Sequence, residues 1–144
     1  MQTIRLYTLG ESTIDFDPSV PCIVVKQIGF LTSDEFREIQ EKALDLYVVK
    51  KKEYGKLAWL SNIQESDAVE MESLKWAAED LTPRSYQAGN RYSAVVLPEE
   101  EYTMASMNAE IYTEESVRKA NEQKIETRMF KDEASAKMWL RMVE

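Results

Sequence analysis

Short runs of apolar and β-branched residues alternate along this chain with longer stretches whose apolar residues recur at helical spacing, and few folds satisfy that alternation. Val20 to Ile28, Leu57 to Leu60, Tyr92 to Leu97 and Lys124 to Phe130 read as strands. A periodic stretch of helical character follows each of them. Crossover helices of roughly 10 to 20 residues between short apolar strands imply a mostly parallel sheet with right-handed connections and helices on its faces. Ahead of these units, Ile4, Leu6, Ile14 and Phe16 alternate around Leu9-Gly10-Glu11, which predicts an antiparallel hairpin at one edge. The expected fold is therefore α/β: a mixed, mostly parallel sheet flanked by helices, an N-terminal hairpin followed by four βα units. At 144 residues the chain makes one domain, 1–144.

Local signals place the helix ends. Thr32 and Glu35 form a capping box, each side chain reaching the other's backbone amide, ahead of a stripe of Phe36, Ile39, Ala43, Leu46 and Tyr47. Gly55 ends that helix. A second helix is expected from Glu70 to Leu81 and should stop at Thr82-Pro83, because the residue before proline avoids the helical region. Glu99-Glu100-Glu101 opens a third, with Met104, Met107 and Ile111 as its stripe. Asp132 caps a fourth, whose Ala136, Trp139, Leu140 and Val143 can be buried only against the sheet.

Composition narrows the chemistry. The chain has no His and one Cys, so Ser-His-Asp triads, Cys-His dyads and imidazole-thiolate metal sites within it are excluded. No metal or cofactor is expected. Cys22 lies inside Cys22-Ile23-Val24-Val25 and reads as a small buried hydrophobe in a reducing compartment. The seven Met residues, at helical spacing, read as core. Eighteen Lys+Arg against 26 Asp+Glu give a net charge of −8, which repels nucleic acid and anionic membrane surfaces. The one basic run, Lys50-Lys51-Lys52, falls at a helix C-terminus, where cations complement the helix dipole. No apolar run approaches the roughly 18 residues of a spanning helix, and the N-terminus lacks a signal-peptide layout. A cytoplasmic location is expected.

Candidate binding residues follow from the expected sheet. Ligands of open α/β sheets favour the crevice beyond the carboxyl ends of the strands. Ser61 and Asn62 stand there, after a buried strand and ahead of no obvious helix; the polar loop from Ser61 to Asp67 is thus the expected binding edge. Arg84 is a candidate clamp for an anionic group, against a structural reading in which it pairs with Glu79 or Asp80 while Trp76 fills the core. Two functional classes remain. One is a non-catalytic module that recognises a partner protein or small ligand; the alternative is a small enzyme using carboxylate, Ser or Tyr chemistry in the crevice. No catalytic residue is assigned, and a homodimer is compatible with either.

Three segments carry a resemblance. They are Leu57-Ala58-Trp59-Leu60-Ser61-Asn62; Trp76 with Pro83-Arg84 and Gly89 leading into Tyr92-Ser93-Ala94-Val95-Val96-Leu97-Pro98; and Met129-Phe130-Lys131-Asp132-Glu133-Ala134-Ser135-Ala136-Lys137-Met138-Trp139-Leu140. In order and spacing the chain resembles the SpoIIAA-like group of small bacterial proteins, which share the fold of STAS domains and of the smaller SEC14-like modules. The resemblance runs from about Cys22 to Leu140. It implies a mixed sheet flanked by helices and a mostly non-enzymatic role in binding partner proteins or small anionic or nucleotide ligands. Antagonists of that family are switched by phosphorylation of a serine, whose nearest counterparts here are Ser61 and Ser66. The flanking Asp-Ser pattern is missing, however, and Asn62 stands where an aspartate is common, so the phospho-switch is not implied for this chain.

With a net charge of −8 and no basic stripe, the protein is expected to show no measurable affinity for duplex DNA or single-stranded RNA at physiological salt. Fluorescence anisotropy of labelled duplexes checks this; micromolar binding would contradict it.

Overall fold

Six strands lie in one sheet in the same order as they occur in the chain. The computed structural model describes residues 3–67, 70–97, 118, 121, 122 and 124–143. Strands β1 (Ile4–Leu9) and β2 (Ser12–Asp17) form the expected edge hairpin, and β3 (Cys22–Gly29) continues it antiparallel. From β3 onward every pairing is parallel, through β4 (Ala58–Ser66), β5 (Tyr92–Val96) and β6 (Glu126–Phe130). Helix α1 (Ser33–Tyr54) follows β3. After β4 come α2 (Met71–Trp76), a π-helical turn (Ala77–Leu81) and α3 (Thr82–Gln87) in unbroken succession. Helix α4 (Glu133–Met142) follows β6. The helix expected from Glu99, with Met104, Met107 and Ile111, lies outside the described residues. Three of the four expected βα units have both strand and helix among those described.

The sheet has a core on each face. Ile14, Phe16, Ile23, Val25 and Trp59 pack with Phe36, Ile39, Ala43 and Tyr47 of α1 and with Leu81. On the other face Cys22, Val24, Ala58, Leu60, Ala94 and Val96 pack with Ala136 and Leu140 of α4. Handedness explains the division. Strands added steadily in one direction by right-handed crossovers place their helices on one side, and α1 and the α2–α3 segment share a face. Among the described residues α4, which leads into no further described strand, covers the opposite one. Because the strand order never reverses, these crossovers open no topological switch point of the kind that creates a ligand crevice in doubly wound sheets.

Several local expectations hold to the atom. Thr32 Oγ1 accepts from the Glu35 amide at 3.1 Å while the Glu35 carboxylate accepts from the Thr32 amide at 3.0 Å. Gly55 closes α1 with φ 73°, a left-handed value natural to glycine, and Asp132 accepts from the Ser135 amide at 2.7 Å.

Four expectations are corrected. The methionines are not core residues throughout, since Met71, Met129, Met138 and Met142 are exposed. The strand after Leu57 does not end at Leu60 but runs to Ser66: Ser61 and Asn62 pair with Val25 and Lys26 on one side and with Val95 and Val96 on the other, and Glu65 and Ser66 continue against Ile28 and Gly29 of β3. Neighbouring strands outweigh the low β-propensity of polar residues. The helix expected to stop at Thr82-Pro83 continues to Gln87. A proline clashes with the carbonyl four residues back; here the chain widens into the π-helical turn, and both the amide and hydroxyl of Thr82 donate to the Ala77 carbonyl, the hydroxyl at 3.0 Å. Trp139 is half-buried at the rim of the second core, against Tyr92 and Phe130, while Ala136 and Leu140 are the fully buried members of its stripe.

Among the described residues no helix is long and apolar enough to cross a membrane. Leu140, with no exposed surface, is expected to cost about 2–5 kcal/mol when replaced by alanine, through lost transfer energy and a residual cavity. Urea denaturation checks this; a loss under about 0.5 kcal/mol, the range of ordinary surface substitutions, would make α4 peripheral.

Candidate functional site

Ser61 and Asn62 are neighbours on β4, and successive side chains of a strand point to opposite faces. The Ser61 hydroxyl accepts from Trp59 Nε1 at 3.2 Å, on the α1 face. Asn62 lies on the α4 face and is 2% exposed. Its Nδ2 donates to Glu133 Oε1 at 3.2 Å, and its Oδ1 accepts from the Gln64 amide at 3.0 Å. The sheet therefore separates these two residues. Ser66 is buried at the end of β4, its hydroxyl donating to the Asp67 carbonyl at 2.9 Å.

Asn62 begins a polar chain that runs along one side of α4. Glu133, Lys137 and Arg141 are spaced at i, i+4 and i+8, so all three face the same way. Lys137 Nζ lies 3.3 Å from Glu133 Oε2 and 2.8 Å from Asp17 Oδ2, with both side chains of the second pair largely buried. Asp17 Oδ1 accepts from the Ser19 amide at 2.9 Å and the Ser19 hydroxyl at 2.6 Å, and Arg141 donates to that hydroxyl at 3.2 Å. Burial works to raise the Asp17 carboxyl. The bonds from Lys137 and Ser19 outweigh it and hold the group below the ordinary aspartate range. Burial likewise opposes the charge on Lys137, and its carboxylate neighbours overcome it, leaving the ammonium above the usual lysine range. Beside this chain, burial pushes the Cys22 thiol up to about 12, which suits a packing residue and not a nucleophile.

Arg84 is engaged on the other face. Its guanidinium donates to both carboxylate oxygens of Glu41 on α1, Nη1 to Oε2 at 3.0 Å, and to Asp80 Oδ2 at 2.6 Å. The pairing with Asp80 is the structural role weighed from sequence; Glu41 is a tertiary partner that local spacing could not reveal. That fork holds the Glu41 carboxyl below its usual range. Trp76 packs edge-on against Phe36, ring centroids 6.3 Å apart, with Arg37 over its face.

The opposite, amino-terminal edge of the sheet holds a pair of cations: Lys51, which the sequence reading assigned to the helix dipole, and Arg91, which it did not single out. Of the three lysines ending α1, Lys50 pairs with Glu53 at 3.3 Å and sits over the Phe16 ring. Lys51 turns inward instead and lays its stem across Gly89 in the turn between α3 and β5. Arg91 follows that turn, its guanidinium 3.7 Å above the Tyr86 ring. Burial and the nearby Arg91 charge depress Lys51 below the ordinary lysine range. The available signal was Gly89, a glycine before a strand where another chain segment approaches closely.

Among the described residues no group of His, Cys, Asp and Glu side chains is arranged to hold a metal ion. No protein-family model matches the chain, and no curated protein or solved structure gave a match.

The Asp17–Lys137 pair sets a pH window. Asp17 titrates below its ordinary 3.8 in the fold, so its contribution is present above about pH 4 and is lost as pH falls through the lower folded value. Lys137 titrates above its ordinary 10.5, so its contribution is present below that pH and is lost as pH rises through the higher folded value. Lys137→Met leaves a buried carboxylate unpaired and is expected to cost about 3–5 kcal/mol at neutral pH. The loss should shrink as Asp17 is protonated in acid; a pH-independent loss in denaturation curves would refute the assignment.

Proposed function

We propose that this chain is a cytoplasmic, non-catalytic binding module of the STAS-like kind, recognising a partner protein or a small ligand. One observation supports the reading above the others. The polar side chains along the α4 face, from Asn62 in the middle of β4 to Asp17 beside the start of β3, are engaged with one another: Asn62 with Glu133, Glu133 with Lys137, Lys137 with Asp17. A general acid or base works best with a pKa near the operating pH and a proton within reach of substrate. Asp17 and Lys137 are displaced away from neutrality in opposite directions and hold each other. Such a network fixes geometry, which is what a recognition surface requires of its scaffold.

Native mass spectrometry of the protein isolated from the organism that encodes it tests this reading. The expected result is a bound species of fixed stoichiometry, released unchanged on denaturation. Recovery of the bare chain alone, or conversion of the bound molecule during incubation, would overturn it.

A further inference from the structure

We infer that Lys51 and Arg91 form a binding site for a phosphate group at the amino-terminal edge of the sheet, where the end of α1 meets the α3–β5 turn. The inference rests on the binding-module reading and names the ligand class for it. Its basis is a convergence of positive charge with fixed geometry. Gly89 has φ 109°, a backbone conformation that suits glycine, and Lys51 Cε lies 2.8 Å from where a Cβ would stand, so the lysine stem runs directly across the turn. Arg91 is held on three sides: its guanidinium stacks on Tyr86, and Nη1 donates to the Tyr86 carbonyl at 2.8 Å and the Asn90 carbonyl at 2.9 Å. The Nη2 and Nε donors of that fork and the three donors of Lys51 have no acceptor among the described residues.

Neither cation has a carboxylate within ion-pair distance among the described residues, so the charge that gathers at this turn is not neutralised there. Relief of the helix dipoles accounts for part of the charge, since Arg91 caps the Tyr86 carbonyl at the end of α3 and Lys51 and Lys52 lie on the last turn of α1. It does not explain why Lys51 is drawn into partial burial beside a second cation, an arrangement that is unfavourable until an anion neutralises both. A phosphate monoester carries close to two negative charges near pH 7 and three acceptor oxygens. It matches one guanidinium fork plus one point charge better than a single carboxylate does. With a net charge of −8 the chain repels extended polyanions, while a small phosphate experiences chiefly the local field.

The test uses the full chain, with backbone-amide NMR and calorimetry at constant ionic strength. Inorganic phosphate and glycerol 3-phosphate are titrated separately, with chloride as the control. Saturable shifts of the Gly89 and Arg91 amides and dissociation constants below about 1 mM are expected for the phosphates. Lys51→Met and Arg91→Gln should each weaken binding about tenfold or more. Arg91→Lys, which keeps the charge and loses the fork, should restore part of it. Vesicles of phosphatidylcholine containing phosphatidic acid form a separate arm: co-sedimentation that depends on Lys51 and Arg91, without binding of either soluble phosphate, keeps the phosphate and assigns it to a lipid headgroup. No saturable response in any arm, or a response unchanged in folded variants, overturns the inference. A ligand without phosphate retained in native mass spectrometry by both variants would overturn the phosphate site and leave the binding-module reading standing.

Discussion

Burial of β3 and β4 on both faces is the constraint from which the rest of this architecture follows. Cys22, Ile23, Val24 and Val25 are all buried, as are Ala58, Trp59 and Leu60, so alternate residues of both strands need apolar cover on opposite sides of the sheet. Right-handed crossovers between strands laid down in sequential order put α1 and the α2–α3 segment on the same side. The other face, with Cys22, Val24, Ala58, Leu60, Ala94 and Val96, is packed against α4. The C-terminal helix is therefore one layer of a three-layer protein and not an appendage.

A helix covering one face must be held in rotation and register, and apolar packing alone specifies neither sharply. The Asn62–Glu133–Lys137–Asp17 chain supplies that definition. It ties α4 at one point to the middle of β4 and at another to the end of β2. Taking Asp17 and Lys137 out of water is costly, and their contact with Glu133 and Ser19 offsets the cost. The stabilisation gained over an apolar substitute is small; the gain lies in a defined geometry. Polar residues at the carboxyl edge that suggest a ligand from sequence alone thus serve first to position a helix.

The α4 face and the amino edge beside α1 consequently differ in character. Along α4, charges of both signs alternate and satisfy one another. At the amino edge, Lys51 and Arg91 place like charges side by side, one stem lying over Gly89 and one guanidinium stacked on Tyr86. Rigid placement lowers the entropy lost on engaging a ligand, and the absence of a switch point in the strand order removes the usual reason to prefer the carboxyl edge.

What the sequence by itself determined was local. The capping box at Thr32 and Glu35, the glycine end of α1 and the Asp132 cap depend on residues three or four positions apart, and their chemistry is complete before any long-range contact forms. The apolar runs likewise marked β3, β4 and β5, and right-handed crossover dictated parallel pairing among them. Tertiary structure decided whatever depends on neighbours distant in sequence. β4 extends to Ser66 because β3 pairs with it that far, with β5 on its other side as far as Asn62, and the helix passes Pro83 because a π-helical turn re-satisfies the backbone there. Ser61 and Asn62, adjacent in the chain, are separated by the sheet, while Arg84 finds Glu41 on another helix. Lys51 and Arg91, far apart in the chain, are brought to one turn by the packing of α1 against α3. Backbone propensity and capping act over a single turn, whereas the pairing of charges is fixed only when whole elements dock, so the fold was legible in the sequence and the placement of its charged side chains was not.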